Sequence, residues 1–371
     1  MKKIRILQFP IANSQGGITK YILENWKWID KERFHFDFAT MSKHLDFAEE
    51  ILALGSQIFY ISCYAEDNRE QFAKEFDVIL SEGYDVVHLH TKQWKGVLVE
   101  EICKKHNIPK VIVHAHNCGI DTLDLQKRNM EESLHERVKR KIDKNIATDF
   151  WACSKQAADF LFGEQIPKDK IKIMPNAIDL NKFVYRKEIR DKYRNDYGLE
   201  NNFVIGHIGR FAYQKNHEFL VNVFKKVLEK KEEAMLLLVG EGELMPKVKE
   251  WVGKLGIENK VLFLGKREDV NCWCQVMDIF CLPSRFEGLG IAMIEAQAAG
   301  LPCIGSENIP REVETSPYIK RLPLEVEKWV EQIWVYTDIE RGDNMIQLKR
   351  LGYDICSQIK IVEKLYVGGG Q

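Results

Sequence analysis

The sequence predicts an α/β protein made of two doubly wound parallel sheets. Three observations carry that reading. Short apolar runs alternate with longer amphipathic segments, the β-α-β-α pattern that places helices on both faces of a parallel sheet. The pattern stops at a polar interval, residues 186–202, and then restarts. The chain has 371 residues, and single cores stop growing at roughly 250–300 residues, so two domains are expected.

In chain order, the first unit offers strands at 4–9, 34–39, 57–61, 85–89, 110–114 and 149–152. Helical stretches at 18–28, 67–81 and 95–106 lie between them. The start, Met1-Lys2-Lys3-Ile4-Arg5-Ile6-Leu7, is basic like a signal peptide, but its apolar stretch is short and holds Arg5, so it reads as a buried first strand. After the polar interval come strands at 203–208, 235–239, 261–264, 278–282 and 302–304, with helices near 218–230, 246–255 and 291–299. The domain boundary is expected within 185–200, separating a first domain over 1–185 from a second over 200–350. No further strand signal appears in the last fifty residues. Helices are expected at 325–335 and 344–367, the second with a break near Gly352, and Gly368-Gly369-Gly370 reads as a frayed end.

Composition narrows the function. Hydrophobic residues make 45% and charged residues 29%, which excludes a disordered, collagenous or small disulfide-stapled chain. With 54 basic and 55 acidic residues the net charge is -1, so bulk attraction to nucleic acid is not expected. The nine cysteines are odd in number and sit mostly in apolar runs, which fits reduced thiols in a cytoplasmic setting. Cys272 and Cys274 form a C-x-C without a second pair, so no zinc site is expected there. No run approaches the ~18–20 apolar residues of a membrane span.

Ligands of doubly wound sheets bind beyond the carboxyl ends of strands, and two such sheets facing each other would leave a cleft for them. Three loops are placed to use such a site. Asn13-Ser14-Gln15-Gly16-Gly17-Ile18-Thr19 leads from the first strand into a helix. Its glycines allow backbone N–H groups to approach an anion at a helix N-terminus, and they also suit a plain tight turn. Gly209-Arg210 through Lys215-Asn216 follows a strand end with two cations, suited to a diphosphate clamp or to a solvated loop. Pro283-Ser284-Arg285-Phe286-Glu287-Gly288-Leu289-Gly290 opens the helix that carries Glu295. There, free N–H groups can hold hydroxyls or phosphate, and a carboxylate one turn into the helix can accept two ribose hydroxyls.

Two H-x-H pairs, His88/His90 and His114/His116, put rings on shared strand faces. A metal there is conceivable, and strand-end histidines reaching the cleft are the alternative. No Asp-x-Asp occurs, which agrees with neutralising a diphosphate by Arg210, Lys215 and helix dipoles rather than by a divalent ion. The dinucleotide and P-loop fingerprints are absent, which disfavours a nicotinamide dehydrogenase.

These motifs, in this order, resemble the GT4-type family of retaining glycosyltransferases with the GT-B fold. The matching pieces are Gly16-Gly17-Ile18, Val113 to Asn117, Ala152-Cys153-Ser154, Pro175-Asn176-Ala177-Ile178-Asp179, Gly209-Arg210 with Lys215-Asn216, Gly240-Glu241-Gly242, Phe263-Leu264-Gly265, and Pro283 to Gly290 with Glu295-Ala296 and Ala299 to Pro302. The resemblance covers almost the whole chain. The ending Leu351-Gly352-Tyr353-Asp354-Ile355 is similar to bacterial capsule and exopolysaccharide transferases.

The resemblance implies two Rossmann-like domains facing across a cleft, with the terminal helix, about 353–371, crossing back to the first. It implies a nucleotide-sugar donor, UDP-linked, held by the second domain, and no metal or other cofactor. By position Arg210 and Lys215 would be diphosphate ligands and Glu295 the ribose ligand. Glu287 would be the carboxylate beside the transferred sugar, with the amides of Gly288 and Leu289 on its hydroxyls. His116 matches the family's histidine under the donor sugar, His114 being the other register. Gly16 and Gly17 would meet donor phosphate, and a backbone group at Val270 the base.

Ala177 replaces the family's glycine, and Leu289 its aromatic residue; both leave the chemistry intact. The implied activity is transfer of a hexose or N-acetylhexosamine to a glycan or lipid-linked glycan at the inner membrane face. A UDP-N-acetylhexosamine 2-epimerase on the same fold and a non-catalytic glycan-binding scaffold are the rival readings. Basic residues over 126–145, on a helix of the first domain, read equally as a peripheral membrane face or as a solvated helix, because Glu131, Glu132 and Glu136 interleave with them.

Overall fold

The computed structural model describes residues 2–13 and 16–368. Ser14 and Gln15 of the glycine loop, and Gly369 and Gly370 of the expected frayed end, lie outside the described residues. The chain divides into two compact units. The first comprises Met1–Ile120, Leu125–Ala177 and Ile355–Gln371; the second comprises Asp121–Asp124 and Ile178–Asp354.

The first unit holds strands β1 (Ile4–Phe9), β2 (Phe34–Thr40), β3 (Ile58–Tyr60), β4 (Val86–Thr91), β5 (Lys110–Ala115), β6 (Asp149–Ala152) and β7 (Ile171–Ile173), in the spatial order β3-β2-β1-β4-β5-β6-β7. Every pairing is parallel. The central strands are buried, and Gln8, His88, His90 and His114 are buried among their apolar residues. One core gathers Ile6, Tyr21, Trp26, Phe34, Phe36, Phe38 and Trp151 with Ile359, Val362 and Tyr366 of the last helix, Ile355–Val367. That helix is docked further by Glu363, which accepts the Asp30 N–H at 3.0 Å.

The second unit holds β8 (Phe203–Ile208), β9 (Ala234–Val239), β10 (Val261–Phe263), β11 (Ile279–Leu282), β12 (Cys303–Ser306) and β13 (Ile319–Leu322), ordered β10-β9-β8-β11-β12-β13 and again all parallel. Its core joins Ile205, Leu220, Phe224, Leu236, Leu238 and Ile279 to Trp329 and Ile333.

Several expectations are corrected. The polar interval, read only as the place of the domain boundary, holds a helix, Lys187–Tyr197, closed by left-handed Gly198. Its polarity has a structural use. Arg190 and Arg194, one turn apart, both reach Asp278 just before β11, Arg194 at 2.6 Å. Asp278 also accepts the Val204 N–H at 2.7 Å. Arg190 donates to the carbonyls of Gln275, Val276 and Met277, at the end of helix Val270–Val276, where positive charge is favoured. Strands β7 and β13, absent from the sequence reading, are edge strands of three and four residues carrying Lys and Arg, too short and too polar to signal. The basic helix is Leu125–Lys139, so Arg140, Lys141 and Lys144 lie beyond it. The break expected near Gly352 is present: Met345–Arg350 and Ile355–Val367 are separate helices, with Gly352 at φ +83° between them.

Among the described residues no helix is long and apolar enough to cross a membrane. All nine cysteines are free thiols.

Asp278→Ala is expected to destabilise the second unit by about 3–5 kcal/mol, because it strands two partly buried guanidinium groups. Trp273, which packs edge-on against Tyr193 and Tyr197 of the helix that carries Arg190 and Arg194, reports the loss. A urea midpoint by its fluorescence equal to that of the parent chain would show that the ion pairs contribute nothing.

Candidate functional site

In the second unit the functional loops leave the carboxyl ends of β8 and β11, which are neighbours in the sheet. The loop after β8 is held from below. A Cβ at Gly240 would stand 2.2 Å from the Gly209 carbonyl oxygen, so Gly240, at φ +133°, lets the β9 loop close under it. Two backbone bonds lock the contact, Gly209 N–H to Val239 and Phe211 N–H to Glu241, each 2.9 Å. A Cβ at Gly209 would in turn meet the Lys215 stem at 3.1 Å, so the bare glycine leaves Lys215 its place.

Lys215 lies 2.6 Å from Glu287 Oε1. The Ser284 hydroxyl donates to the same oxygen at 2.6 Å, and Gln214 Nε2 donates to Oε2 at 3.2 Å. Glu287 is 5% exposed, and these groups stabilise its charge against burial. Arg285 N–H donates to the Gln214 carbonyl at 2.7 Å, and its guanidinium donates to Asn216 at 2.7 Å while lying over the Tyr213 ring. The two loops thus form one hydrogen-bonded body.

Arg210 takes a different partner, Asp121, which also accepts the Gln214 N–H at 2.9 Å. Glu287 is followed by Gly288 and Leu289, both buried, and then by helix Ile291–Ala298, in which Glu295 is 3% exposed. Val270 opens helix Val270–Val276. Its predecessor Asp269 is fixed there by a bidentate pair with Arg267, both bonds 2.8 Å, and by Tyr193 at 2.8 Å.

Behind the loop, His207 donates from Nδ1 to the Cys281 carbonyl at 2.8 Å. Burial lowers its pKa to about 3, and Lys215 adds to the effect. His207 is therefore neutral beside the site.

In the first unit, Gly16 caps helix Gly17–Trp28 without a side-chain bond, and both glycines are exposed. A Cβ at Gly17 would meet nothing within 4 Å. Among the described residues no neighbour demands glycine there, and the N–H groups of a helix's first turn are suited to an anion.

His116 follows β5 and lies with His88, His90 and His114 in one buried group. Burial drives the pKa of His116 down to about 3 and those of the other three well below 6.5. His88, His90 and His114 bring ring nitrogens within 4.8 Å of one another, a spacing a metal could use. These rings also hydrogen-bond, His88 to His114 at 3.1 Å and His90 to His116 at 2.9 Å.

Sequence reasoning missed Gln214, Ser284 and Asp121. The first two lie inside motifs it quoted, where polar type and position past a strand end were the available signal. Asp121 lies 89 residues before its partner Arg210, and nothing local marks it.

Two family models match the chain. Residues 15–182 match the model described as Glycosyltransferase Family 4, and residues 202–331 the model described as Glycosyl transferases group 1. Over 373 residues the chain is 29% identical to the glycosyltransferase EpsF of Bacillus subtilis strain 168, covering 98% of this chain and 96% of that protein. It is 24% identical to the Escherichia coli UDP-Gal:alpha-D-GlcNAc-diphosphoundecaprenol alpha-1,3-galactosyltransferase, over 82% of this chain and 79% of that one. Among solved structures, Anabaena HepE in complex with UDP and glucose matches with a TM-score of 0.78 at 16% identity, covering 99% of this chain and 100% of that one. The likeness establishes the GT-B fold.

Proposed function

The chain belongs to the family 4 glycosyltransferases, and from that premise we propose that it moves a hexose or N-acetylhexosamine from a UDP-sugar to a glycan or lipid-linked glycan, with retention and without a metal ion. One observation carries the reading: Lys215, Glu287, Ser284 and Gln214 converge at the ends of β8 and β11. The relatives support it. The similar Escherichia coli enzyme is named for a UDP-galactose donor and a diphosphoundecaprenol-linked acceptor, and HepE has been solved with UDP-glucose as well as with UDP.

In this proposal the bond between C1 of the sugar and the diphosphate breaks as a bond from C1 to the acceptor oxygen forms on the same face. The acceptor proton passes to the departing phosphate oxygen. Charge grows on the diphosphate, where Lys215 and Arg210 stabilise it. Glu287 accepts sugar hydroxyls and stabilises positive charge at the ring, while the Gly288 and Leu289 amides hold further hydroxyls. Glu295 accepts the ribose hydroxyls, and the backbone at Val270 meets the base. In the first unit the amides at Gly16 and Gly17 bind phosphate, and His116 takes a sugar hydroxyl. The work is done in the cytoplasm, against an acceptor at the inner membrane face.

A donor panel tests this. Purified protein is incubated in EDTA with UDP-, GDP-, ADP- and dTDP-sugars, and proton NMR follows nucleotide release and anomeric signals. The expected result is slow UDP release that EDTA leaves unchanged, with the freed sugar appearing first in the donor's anomeric configuration. Abolition by EDTA would overturn the metal-free reading. Formation of a new sugar nucleotide would replace transfer with epimerisation, and absence of both release and saturable binding would leave a scaffold.

A further inference from the structure

Gln8, His88, His90, His114 and His116 share one face of the first sheet. Gln8 pairs in register with His88, and His90 with His114, while residues two apart on a strand point the same way. Tyr366 of the last helix reaches the same stripe. All six side chains are buried, and such groups are costly unless paired. Their pairing is directional.

The Gln8 amide sets the direction. Its Oε1 lies 2.7 Å from His90 Nε2, so that nitrogen carries the hydrogen. A neutral imidazole has one N–H. His90 Nδ1 is therefore an acceptor, and His116 Nε2 donates to it at 2.9 Å. On the other side Gln8 Nε2 donates to the Tyr366 hydroxyl at 3.2 Å, and that hydroxyl donates to His88 Nδ1 at 2.8 Å. His88 Nε2 then donates to His114 Nδ1 at 3.1 Å. The bonds run head to tail from His116 to His114 with no donor facing a donor. Two ring nitrogens end the chain without a partner among the described residues: His114 Nε2, left with a hydrogen, and His116 Nδ1, left with a lone pair.

We infer that this chain fixes His116 as its Nε2–H tautomer and offers Nδ1 as an acceptor, so that the donor-sugar group it meets is a neutral hydroxyl. Gln8, His90 and Tyr366 are positioning residues that act through His116. A neutral hexose or N-acetylhexosamine supplies the required hydrogen. A hexuronate carboxylate at that point sets a negative oxygen against a lone pair and is rejected. The sugar preference rests on the proposed place of His116 at the donor; the tautomer rests on the bonds and on the Gln8 amide presenting its oxygen to His90 and its nitrogen to Tyr366.

The test uses the whole chain with ring-¹⁵N histidine, and long-range proton–nitrogen correlation at neutral pH. Signals of His116 are assigned by their loss in His116→Gln. The expected spectrum has His116 protonated on Nε2. Protonation on Nδ1, an imidazolium, or a stoichiometric metal retained on His88, His90 and His114 would overturn the inference.

Gln8→Met removes both amide functions at similar volume, and Tyr366→Phe removes the hydroxyl that anchors the amide and donates to His88. Each is expected to give His116 a mixture of tautomers and to lower kcat by roughly 10- to 100-fold, with UDP affinity by calorimetry within about twofold of the parent. An unchanged His116 spectrum in both variants refutes the chain. In the parent protein, UDP-glucuronate is expected to serve at least tenfold less well than the best neutral UDP-hexose; equal use refutes the hydroxyl preference. Failure of UDP to bind the parent at all would refute the proposed function while the tautomer remained readable.

Discussion

Lys215→Ala is expected to lower sugar transfer by roughly 10²–10³-fold, about 3–4 kcal/mol of transition-state stabilisation. Two effects combine. The cation at 2.6 Å holds Glu287 in place in the ligand-free chain, and in the reaction it meets the growing charge of the leaving diphosphate. The loss should fall on kcat more than on KM, because that charge is largest in the transition state.

Arginine is a poor replacement for Lys215. The lysine stem runs against Gly209, where a single added carbon would already come within 3.1 Å, so a bulkier fork has no room. Removing the lysine also leaves a buried carboxylate without its cation. The double variant Lys215→Ala with Glu287→Gln removes that charge as well. It should recover the stability lost in Lys215→Ala and recover no activity. Steady-state kinetics and thermal melting of the two variants check this, and a double variant near parental activity would displace the site from these residues.

Acid is expected to unfold the first unit before the second. His88, His90, His114 and His116 in the first unit, and His207 and His217 in the second, are held neutral by burial, with folded-state pKa values below the ordinary 6.5. The sign follows from proton uptake. Below pH 6.5 the unfolded chain binds protons that the folded chain refuses, so stability is whole above that pH and falls as pH drops towards the folded values.

One pH unit below 6.5 costs about 1.4 kcal/mol for each such histidine. Four together cost on the order of 5–6 kcal/mol, comparable with the whole stability of a typical domain, about 5–15 kcal/mol. His135, also lowered by burial, adds to the first unit's share. Hydrogen-exchange mass spectrometry after stepwise acidification should find protection lost first over β1, β4 and β5. Loss beginning in β8 to β13 would contradict the assignment.

Much of this was legible in the sequence. The strands 4–9, 149–152 and 203–208 have the ends the pattern predicts, because each is a short, mostly apolar run. The loop carrying Glu287 was legible for a related reason. A Pro-Ser-Arg-Phe-Glu-Gly-Leu-Gly run can hardly be a strand or a helix interior, so it must be a loop past a strand end. The edge strands β7 and β13 were not legible, since each has few residues and one covered side. Nor was helix Lys187–Tyr197, whose anchor is a carboxylate more than eighty residues away.

By itself, then, the sequence determined the two doubly wound units, the order of their strands along the chain and the loops that carry chemistry, because these depend on local periodicity and turn residues. Only the tertiary structure decided which residues meet. Lys215 and Glu287 are 72 residues apart and join because β8 and β11 are neighbours in a parallel sheet. Arg210 answers to Asp121, and Gln8 orients four histidines through strand register and a helix from the far end of the chain. Register and neighbour order arise from backbone pairing between distant segments, and no single segment carries them in its residues.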